Sequence, residues 1–324
     1  LEDGTIADVR CVWDCTINGL NATLYAPGFM LPTALDAEDQ VIKWLSVNVG
    51  EHLRLGSPVT DYSTQEASSF IRTKQGDIDV GQHFNNFRVH KQDQQHLGVR
   101  YIYTNNDGIS YEKEAWYYFN CCPFGLTNSP FNACQGQARI LEHCKGDPSD
   151  QKNEFQFETC HLNLPCSPNY DPSMPEVILL RKDGEMATTE VTFVDDIHVA
   201  GRARDGEYDH AKAGCKQLMS RMNNVGNQAD PRKFRQPVLN PGAWIGLIIH
   251  TTTPFPRKST TLKKWVKFKD GLKSILYAVD SGETHVDTGK LRSVAGLGVN
   301  VTEIYSNGRP YLKGFFNSIE AWRS

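Results

Sequence analysis

Apolar and polar positions follow their clearest pattern at residues 191–200. Two stretches rich in β-branched and aromatic residues, Val191–Val194 and Ile197–Ala200, flank a bare pair of aspartates. This arrangement predicts the two strands of a hairpin, with Asp195 and Asp196 at its tip. Adjacent carboxylates repel each other, so a protein that keeps both ionised usually supplies a cation. Taken alone, the pair fits either a solvated turn or one edge of a divalent-cation site.

Helical spacing and turn signals divide the rest of the chain into further elements. Ser129 followed by Pro130 is a strong helix start, with serine at the cap and proline at the first helical position. The other predicted helices lie at 36–49, 206–224, around 262–279 and around 288–298. Strands are predicted at 76–90 (ending in a turn and a short helix), in a hairpin at 99–119, and at 243–250. A polar segment at 145–175 predicts an insertion or long loop. The mixture indicates an α+β protein.

Composition limits the class of protein. Hydrophobic residues make up 39% and charged residues 22% of the chain, as in an ordinary globular domain. No apolar run approaches the ~18 residues that cross a bilayer, and no signal-peptide pattern opens the sequence. Nine cysteines, odd in number and irregularly spaced, predict reduced thiols. We therefore expect an intracellular protein, nuclear or cytoplasmic, with no membrane partner.

Charge is distributed unevenly. The net charge is −4, yet residues 251–324 contain twelve Lys and Arg against six Asp and Glu. The preceding 250 residues therefore hold the other 22 basic and 32 acidic groups, a balance of −10. The basic segment fits either a surface that follows nucleic-acid phosphates or the solvated face of a helix.

Three motifs in order resemble the palm of reverse transcriptases. Asp79-Val80-Gly81-Gln82-His83-Phe84 resembles the first catalytic motif of retroviral and retrotransposon enzymes. Pro123-Phe124-Gly125-Leu126 is similar to the second, and Phe193-Val194-Asp195-Asp196 to the third. Retrotransposons of the DIRS-like and LTR types are the most similar. The 145–175 segment makes the gap between the second and third motifs unusually long, and Phe193 replaces the commoner tyrosine.

Weaker similarities flank these motifs. Arg10 is placed like the fingers arginine that holds the incoming triphosphate, and Lys233 resembles the lysine of the fourth motif. Trp244-Ile245-Gly246-Leu247 resembles the primer-grip hairpin. The resemblance implies a right-hand polymerase fold: partial fingers at 1–75, a palm with an insertion at 76–250, and a helical thumb-like or connection-like segment at 251–324.

The resemblance also implies a metal site for nucleotidyl transfer. Asp79 and Asp195 would bind both of two Mg²⁺ ions (or Mn²⁺), and Asp196 would complete the primer-side ion. The carbonyl of Val80 would hold the nucleotide-side ion. Asp77 is a nearby competitor for the place of Asp79, which we favour because only Asp79 has an aromatic residue five positions on.

The remaining implied roles concern the nucleotide. Phe84 would be the steric gate that excludes a 2′-hydroxyl, with a core phenylalanine as the alternative. Phe124 and Gly125 would line the nucleotide pocket. Arg10 would grip triphosphate oxygens, and Lys233 would give a proton to pyrophosphate, although Arg232 is adjacent and the register between the two stays open.

The implied function is that of an RNA-directed DNA polymerase of a retroelement. Its partners would be an RNA or DNA template with primer, deoxynucleoside triphosphates, and other parts of a polyprotein or larger complex. One alternative is a domesticated, non-catalytic scaffold or nucleic-acid-binding subunit. Another is an RNA-dependent RNA polymerase, which normally has Gly where Val194 stands. A cluster of histidines and cysteines fits either zinc ligands or scattered thiols: His143, Cys144, Cys160, His161 and Cys166.

Overall fold

A computed structural model describes most of the chain. The described residues are 15–16, 19–25, 27–33, 35–41, 72–104, 111–172, 176–203, 208–239, 242–251, 257–283 and 285–320. Arg10 and the second half of the predicted 36–49 helix lie outside them. Within these ranges, helix and strand are mixed as expected for an α+β protein.

The described residues contain ten strands and eight helices. The strands are β1 (Arg72–Asp79), β2 (Gly98–Thr104), β3 (Tyr111–Tyr118), β4 (Thr159–Leu162), β5 (Val177–Leu180), β6 (Thr189–Phe193), β7 (Asp196–Ala203), β8 (Arg235–Val238), β9 (Leu247–His250) and β10 (Arg257–Thr260). The helices are α1 (Leu20–Thr23), α2 (residues 35–41), α3 (Lys91–Gln94), α4 (Ser129–Lys145), α5 (His210–Asn224), α6 (Leu262–Asp280), α7 (Thr288–Ile304) and α8 (Arg309–Glu320). Short 3₁₀ turns occur at His83–Asn86 and Ser306–Gly308.

The central sheet has four antiparallel strands in the order β6-β7-β1-β8. With α4 between β1 and β6 and α5 between β7 and β8, the chain order is β-α-β-β-α-β, the ferredoxin-like arrangement. This topology makes β1 and β7 the two central strands. Residues separated by more than a hundred positions in the sequence therefore become neighbours at the end of the sheet.

One face of the sheet is covered by α4 and α5. Ile78 of β1, Val80 just after it, and Ile197 and Val199 of β7 form a buried cluster with apolar residues of both helices. Helix α5 lies close to β7 because Gly201 has no side chain: a Cβ there would lie 2.9 Å from the backbone nitrogen of Ala211. This packing holds the two central strands on a rigid support.

The other face contacts α2 and the segment around β9. Trp244, Leu247 and Ile249 are buried there against Val191 and Ala200 of the sheet. Strand β9 pairs with β10, which leads directly into α6. Helices α6, α7 and α8 then pack on one another in sequence order. No helix in the described ranges is both long and apolar enough to span a membrane.

Most predicted elements are confirmed. The hairpins at 191–200 and 99–119 are present, although the turn of the second lies outside the described residues. The helix predicted from Ser129 is also present, but its cap is Asn128 and Ser129 is already helical. Helix α7 continues to Ile304, beyond the predicted 298.

The 145–175 segment differs from an exposed loop. Four consecutive residues of it, Asn153 to Gln156, are buried. Gln217 of α5 donates hydrogen bonds to the carbonyl of Lys145 and to Asn153 Oδ1, so the polar side chains serve as partners for an irregular backbone. The polar composition predicted an insertion or long loop and did not indicate this buried stretch, which is tolerated because several of its polar groups are hydrogen-bonded. Strand β4, in the second half, is exposed along its length.

Candidate active site

The three aspartates of the predicted metal site meet at one end of the central sheet. Asp79, the last residue of β1, pairs in register with Asp196, the first residue of β7. The backbone N–H of Val80 donates to the carbonyl of Asp195 over 2.9 Å, which holds the hairpin tip against the end of β1. The Val80 backbone, also predicted for this site, therefore lies beside the carboxylates.

The hairpin tip has an unusual backbone. β6 and β7 are joined by a two-residue turn, Val194–Asp195, and Val194 has a φ of 56°. A β-branched residue in the left-handed region is a steric outlier that costs about 1–3 kcal/mol. Such strain is kept where the surrounding structure over-determines the conformation, which is common at functional sites.

The carboxylates repel one another. Burial, together with the charges of Asp195, Asp79 and Asp77, raises the pKa of Asp196 to about 6, and Arg235 opposes the shift. Burial likewise raises the pKa of the Cys134 thiol on α4, with the charge of Asp195 adding to the effect. The site is thus a concentration of negative charge that a cation would stabilise.

Lys233 supplies one such cation. Its Nζ donates to both carboxylate oxygens of Asp79, over 2.9 and 3.0 Å, and this pairing raises the pKa of the lysine. Of the two neighbours, Lys233 is the one that pairs with Asp79, whereas Arg232 pairs with Asp230. Lys233 lies after β7 and α5, in a turn that is tied to β1 by a hydrogen bond from Asp230 N–H to the Asp79 carbonyl.

The structure also separates Asp79 from its competitor. Asp77 is only 4% exposed and is paired with His198 and Arg235, whereas Asp79 is partly exposed at the end of the strand. Successive side chains along a strand alternate between faces, so both residues point to the same face, two positions apart. Only Asp79 lies at the edge where a ligand can approach.

The two predicted nucleotide-pocket phenylalanines contact each other. The rings of Phe84 and Phe124 meet edge to face, with centroids 4.9 Å apart. Gly125 has a φ of 98°, a conformation that favours glycine. Asn21, which the sequence did not single out, accepts from Thr127 N–H and donates to the Gly125 carbonyl, each over 2.9 Å. These bonds hold the loop that carries Phe124.

The predicted primer-grip segment forms a tight hairpin. The backbones of Trp244 and Leu247 exchange two hydrogen bonds of 2.9 Å, and Ile245 and Gly246 both have positive φ, as in a type I′ turn. The Trp244 side chain is buried, with its ring 5.2 Å from that of His198. Gly246 lies at the tip of the hairpin, beside Lys264.

The candidate zinc ligands are not gathered into a site. Cys144 is buried, while Cys160 and Cys166 are exposed. Within the described ranges, no three His, Cys, Asp or Glu side chains are arranged as ready metal ligands. The carboxylate site is no exception, because Lys233 Nζ donates hydrogen bonds to both carboxylate oxygens of Asp79.

His83 is a buried residue beside the site whose environment the sequence did not indicate. It is 4% exposed, its ring packs against Phe84 and Phe87, and neither ring nitrogen has a hydrogen-bond partner within the described part of the chain. Burial lowers its pKa to about 4, opposed by the charge of Asp79. The histidine is therefore neutral in the fold at neutral pH.

This burial predicts a pH-dependent stability difference between the natural protein and His83→Leu. Between pH 6.5 and 4 the unfolded chain binds a proton at His83 that the folded chain does not, so stability falls as pH falls. We expect the natural protein to lose about 2–3 kcal/mol relative to His83→Leu between pH 7.5 and 4.5. Urea unfolding at several pH values measures it. Asp196 titrates in the opposite sense but is common to both proteins, and a constant difference would contradict the prediction.

The chain matches no protein family, and no curated protein sequence matches it.

Proposed function

We propose that the chain is an RNA-directed DNA polymerase of a retroelement, with a right-hand polymerase fold. The observation that carries the proposal is the convergence of Asp79, Asp195 and Asp196 at one end of the central sheet. The sequence resemblance predicted these three residues, and Asp79 lies more than a hundred positions before the adjacent Asp195 and Asp196. A solvated turn, the alternative for the aspartate pair, has no need of a third carboxylate across the sheet.

The donor set fits divalent cations. Carboxylate and backbone carbonyl oxygens are the hard ligands that Mg²⁺ prefers. Burial and the neighbouring carboxylates raise the pKa of Asp196, and positive charge would relieve the repulsion between them. Asp79, Asp195, Asp196 and the carbonyl of Val80 would hold two Mg²⁺ ions, or Mn²⁺. When bound, the ions would polarise the attacking hydroxyl and stabilise the leaving oxygen in nucleotidyl transfer.

The protein's own side chains would position the substrates. The primer 3′-hydroxyl attacks the α-phosphate of a deoxynucleotide, and pyrophosphate leaves; most of the work is alignment and charge stabilisation. Phe84, buttressed edge to face by Phe124, would pack against the sugar and exclude a 2′-hydroxyl. Arg10 would grip the triphosphate. The Trp244–Leu247 hairpin would hold the primer end through its backbone.

Lys233 would act on the leaving group. It is already protonated and lies at the carboxylates, with nearly half of its side chain exposed. When cations bind Asp79, the lysine side chain is released and can turn towards the pyrophosphate to donate its proton. The contact seen with Asp79 would therefore belong to the state without substrate.

The proposed regions of the right hand follow the elements. The palm (76–250) would contain α4, α5 and the central sheet except for the first residues of β1, which begins at Arg72. The thumb-like segment (251–324) would contain α6, α7 and α8, and five lysines of α6 would face nucleic acid: Lys263, Lys264, Lys267, Lys269 and Lys273. Residues 1–75 would be the partial fingers.

Primer extension tests the proposed function. A DNA primer on an RNA template, with four deoxynucleotides and Mg²⁺, should be elongated by the protein, and chelation of the metal should stop elongation. Binding of the primer–template without elongation would instead favour the non-catalytic scaffold. Elongation with ribonucleotides in preference to deoxynucleotides would favour an RNA polymerase.

A further inference from the structure

A buried polar group lies directly beneath the three aspartates. Asp77 is paired in register with His198, two residues along the strands from the Asp79–Asp196 pair. His198 Nδ1 donates to Asp77 Oδ1 over 2.7 Å, and Arg235 lies 2.8 Å from Asp77 Oδ2. Because the sheet order is β7-β1-β8 at this point, Asp77 joins three neighbouring strands.

Stability alone does not explain this group. A buried ion pair is on average no more stabilising than well-packed apolar residues of similar volume. The Nε2 atom of His198 is buried and has no hydrogen-bond partner in the described part of the chain, which adds a cost. Part of the surroundings is apolar, since the Trp244 ring lies 5.2 Å from that of His198 and Ala200 follows on the same face. Apolar residues at both positions would suit this core.

The group does have a consequence for register. A slip of one residue between β1 and β7 would move every side chain of β1 to the opposite face and carry Asp79 away from Asp196. On its other side β1 is poorly held, because its pairing with β8 is irregular between Gln75 and Asp77. A slipped strand would bury Asp77 without its partners, which is strongly unfavourable.

We propose that Asp77, through its hydrogen bond to His198 and its ion pair with Arg235, is a positioning residue that fixes Asp79 opposite Asp196 in the metal site. This inference rests on the proposed function. It assigns a role to a buried carboxylate and a histidine that neither bind the cation nor touch the nucleotide. The Asp77–His198 bond carries the role, and the charge of Asp77 is secondary.

Three substitutions separate the bond from the charge. His198→Phe removes the bond to Asp77 and keeps every carboxylate, while its ring can still stack on Trp244. Asp77→Asn removes the charge and keeps an acceptor for His198. His198→Asn restores a donor near the position of Nδ1. Gln75→Met is the matched control, since Gln75 is equally buried on the same face of β1 and bonds the Ile249 carbonyl instead.

The readouts are the dissociation constant for Mn²⁺, by electron paramagnetic resonance of the free ion, and the urea midpoint of unfolding. We expect His198→Phe to weaken Mn²⁺ binding at least tenfold while remaining folded, with His198→Asn within about threefold of the natural protein and Gln75→Met unchanged. Asp77→Asn should weaken binding less than His198→Phe.

Each contrary outcome has a distinct meaning. Unchanged Mn²⁺ affinity in His198→Phe overturns the positioning role and leaves the proposed function standing. Weaker Mn²⁺ binding in Asp77→Asn but not in His198→Phe overturns the positioning role in favour of a charge effect. If Mn²⁺ binding weakens only in proportion to the fall in the urea midpoint, in His198→Phe and Gln75→Met alike, the group is merely structural. A natural protein that does not bind Mn²⁺ overturns the metal site and this role together.

Discussion

Asp195→Asn should lower the rate of single-nucleotide addition to a primer on an RNA template by about 10³-fold or more. The substitution keeps the size of the side chain and removes one of three converging charges. Stabilisation of transition-state charge by bound metal is worth several kcal/mol, and about 4 kcal/mol corresponds to 10³ in rate. The measurement is the single-turnover rate at saturating deoxynucleotide and Mg²⁺.

The control for this variant is Asp150→Asn. Asp150 is an exposed aspartate of the 145–175 segment whose Oδ1 accepts from Lys152 N–H, and asparagine can accept the same bond. It should extend primers at the natural rate. Asp195→Asn should remain folded, because removing one of the crowded charges relieves repulsion at Asp196. Full activity in Asp195→Asn would rule out the hairpin tip as the metal site.

Phe84→Ala should reduce the preference for deoxynucleotides over ribonucleotides by about 10–100-fold. The ring of Phe84 is held edge to face by Phe124, so its position is fixed and a 2′-hydroxyl would meet a rigid surface. Truncation to alanine opens that space, and discrimination by size in a packed pocket is worth about 1–3 kcal/mol. The measurement is the ratio of kcat/KM for a deoxynucleotide and its ribonucleotide.

Phe87→Leu provides the comparison for Phe84→Ala. Phe87 lies three residues after Phe84 and packs against His83, and leucine keeps most of its volume. Its nucleotide preference should equal that of the natural protein. If Phe84→Ala kept its discrimination while still incorporating deoxynucleotides, Phe84 would be a core residue, which is the alternative that the sequence left open.

The order of strands and helices was largely predictable because local patterns specify it. The β6–β7 hairpin follows from two apolar runs around a polar pair, and α4 follows from the Ser129–Pro130 signal. Boundaries were less accurate: Asn128 is the cap of α4, since cap identity depends on backbone geometry more than on residue type. The sequence did not indicate the buried stretch at 153–156, because the partners of its polar side chains lie elsewhere in the chain: Glu154 bonds the side chains of Arg181, Tyr208 and His210.

From the sequence, only the candidate-site residues that belong to a recognisable motif could be proposed. Sequence reasoning identified Asp79, Asp195, Asp196 and Lys233, yet it could not choose between Asp77 and Asp79 by burial. It also missed His198, His83 and Asn21. His198 had a weak signal, since it lies two residues after Asp196 and so shares its face of a strand, but its partner Asp77 is distant in the sequence.

The sequence by itself determined most of the elements that form and named the carboxylates proposed for the metal site, because hydrophobic period, turn residues and motif spacing are local properties. The tertiary structure alone decided that Asp79 is the edge carboxylate, that Lys233 pairs with it, and that Asp77 is buried with His198 and Arg235. These facts depend on strand order and register, which arise from packing between distant segments. The charge repulsion at Asp196 appears only when those segments meet.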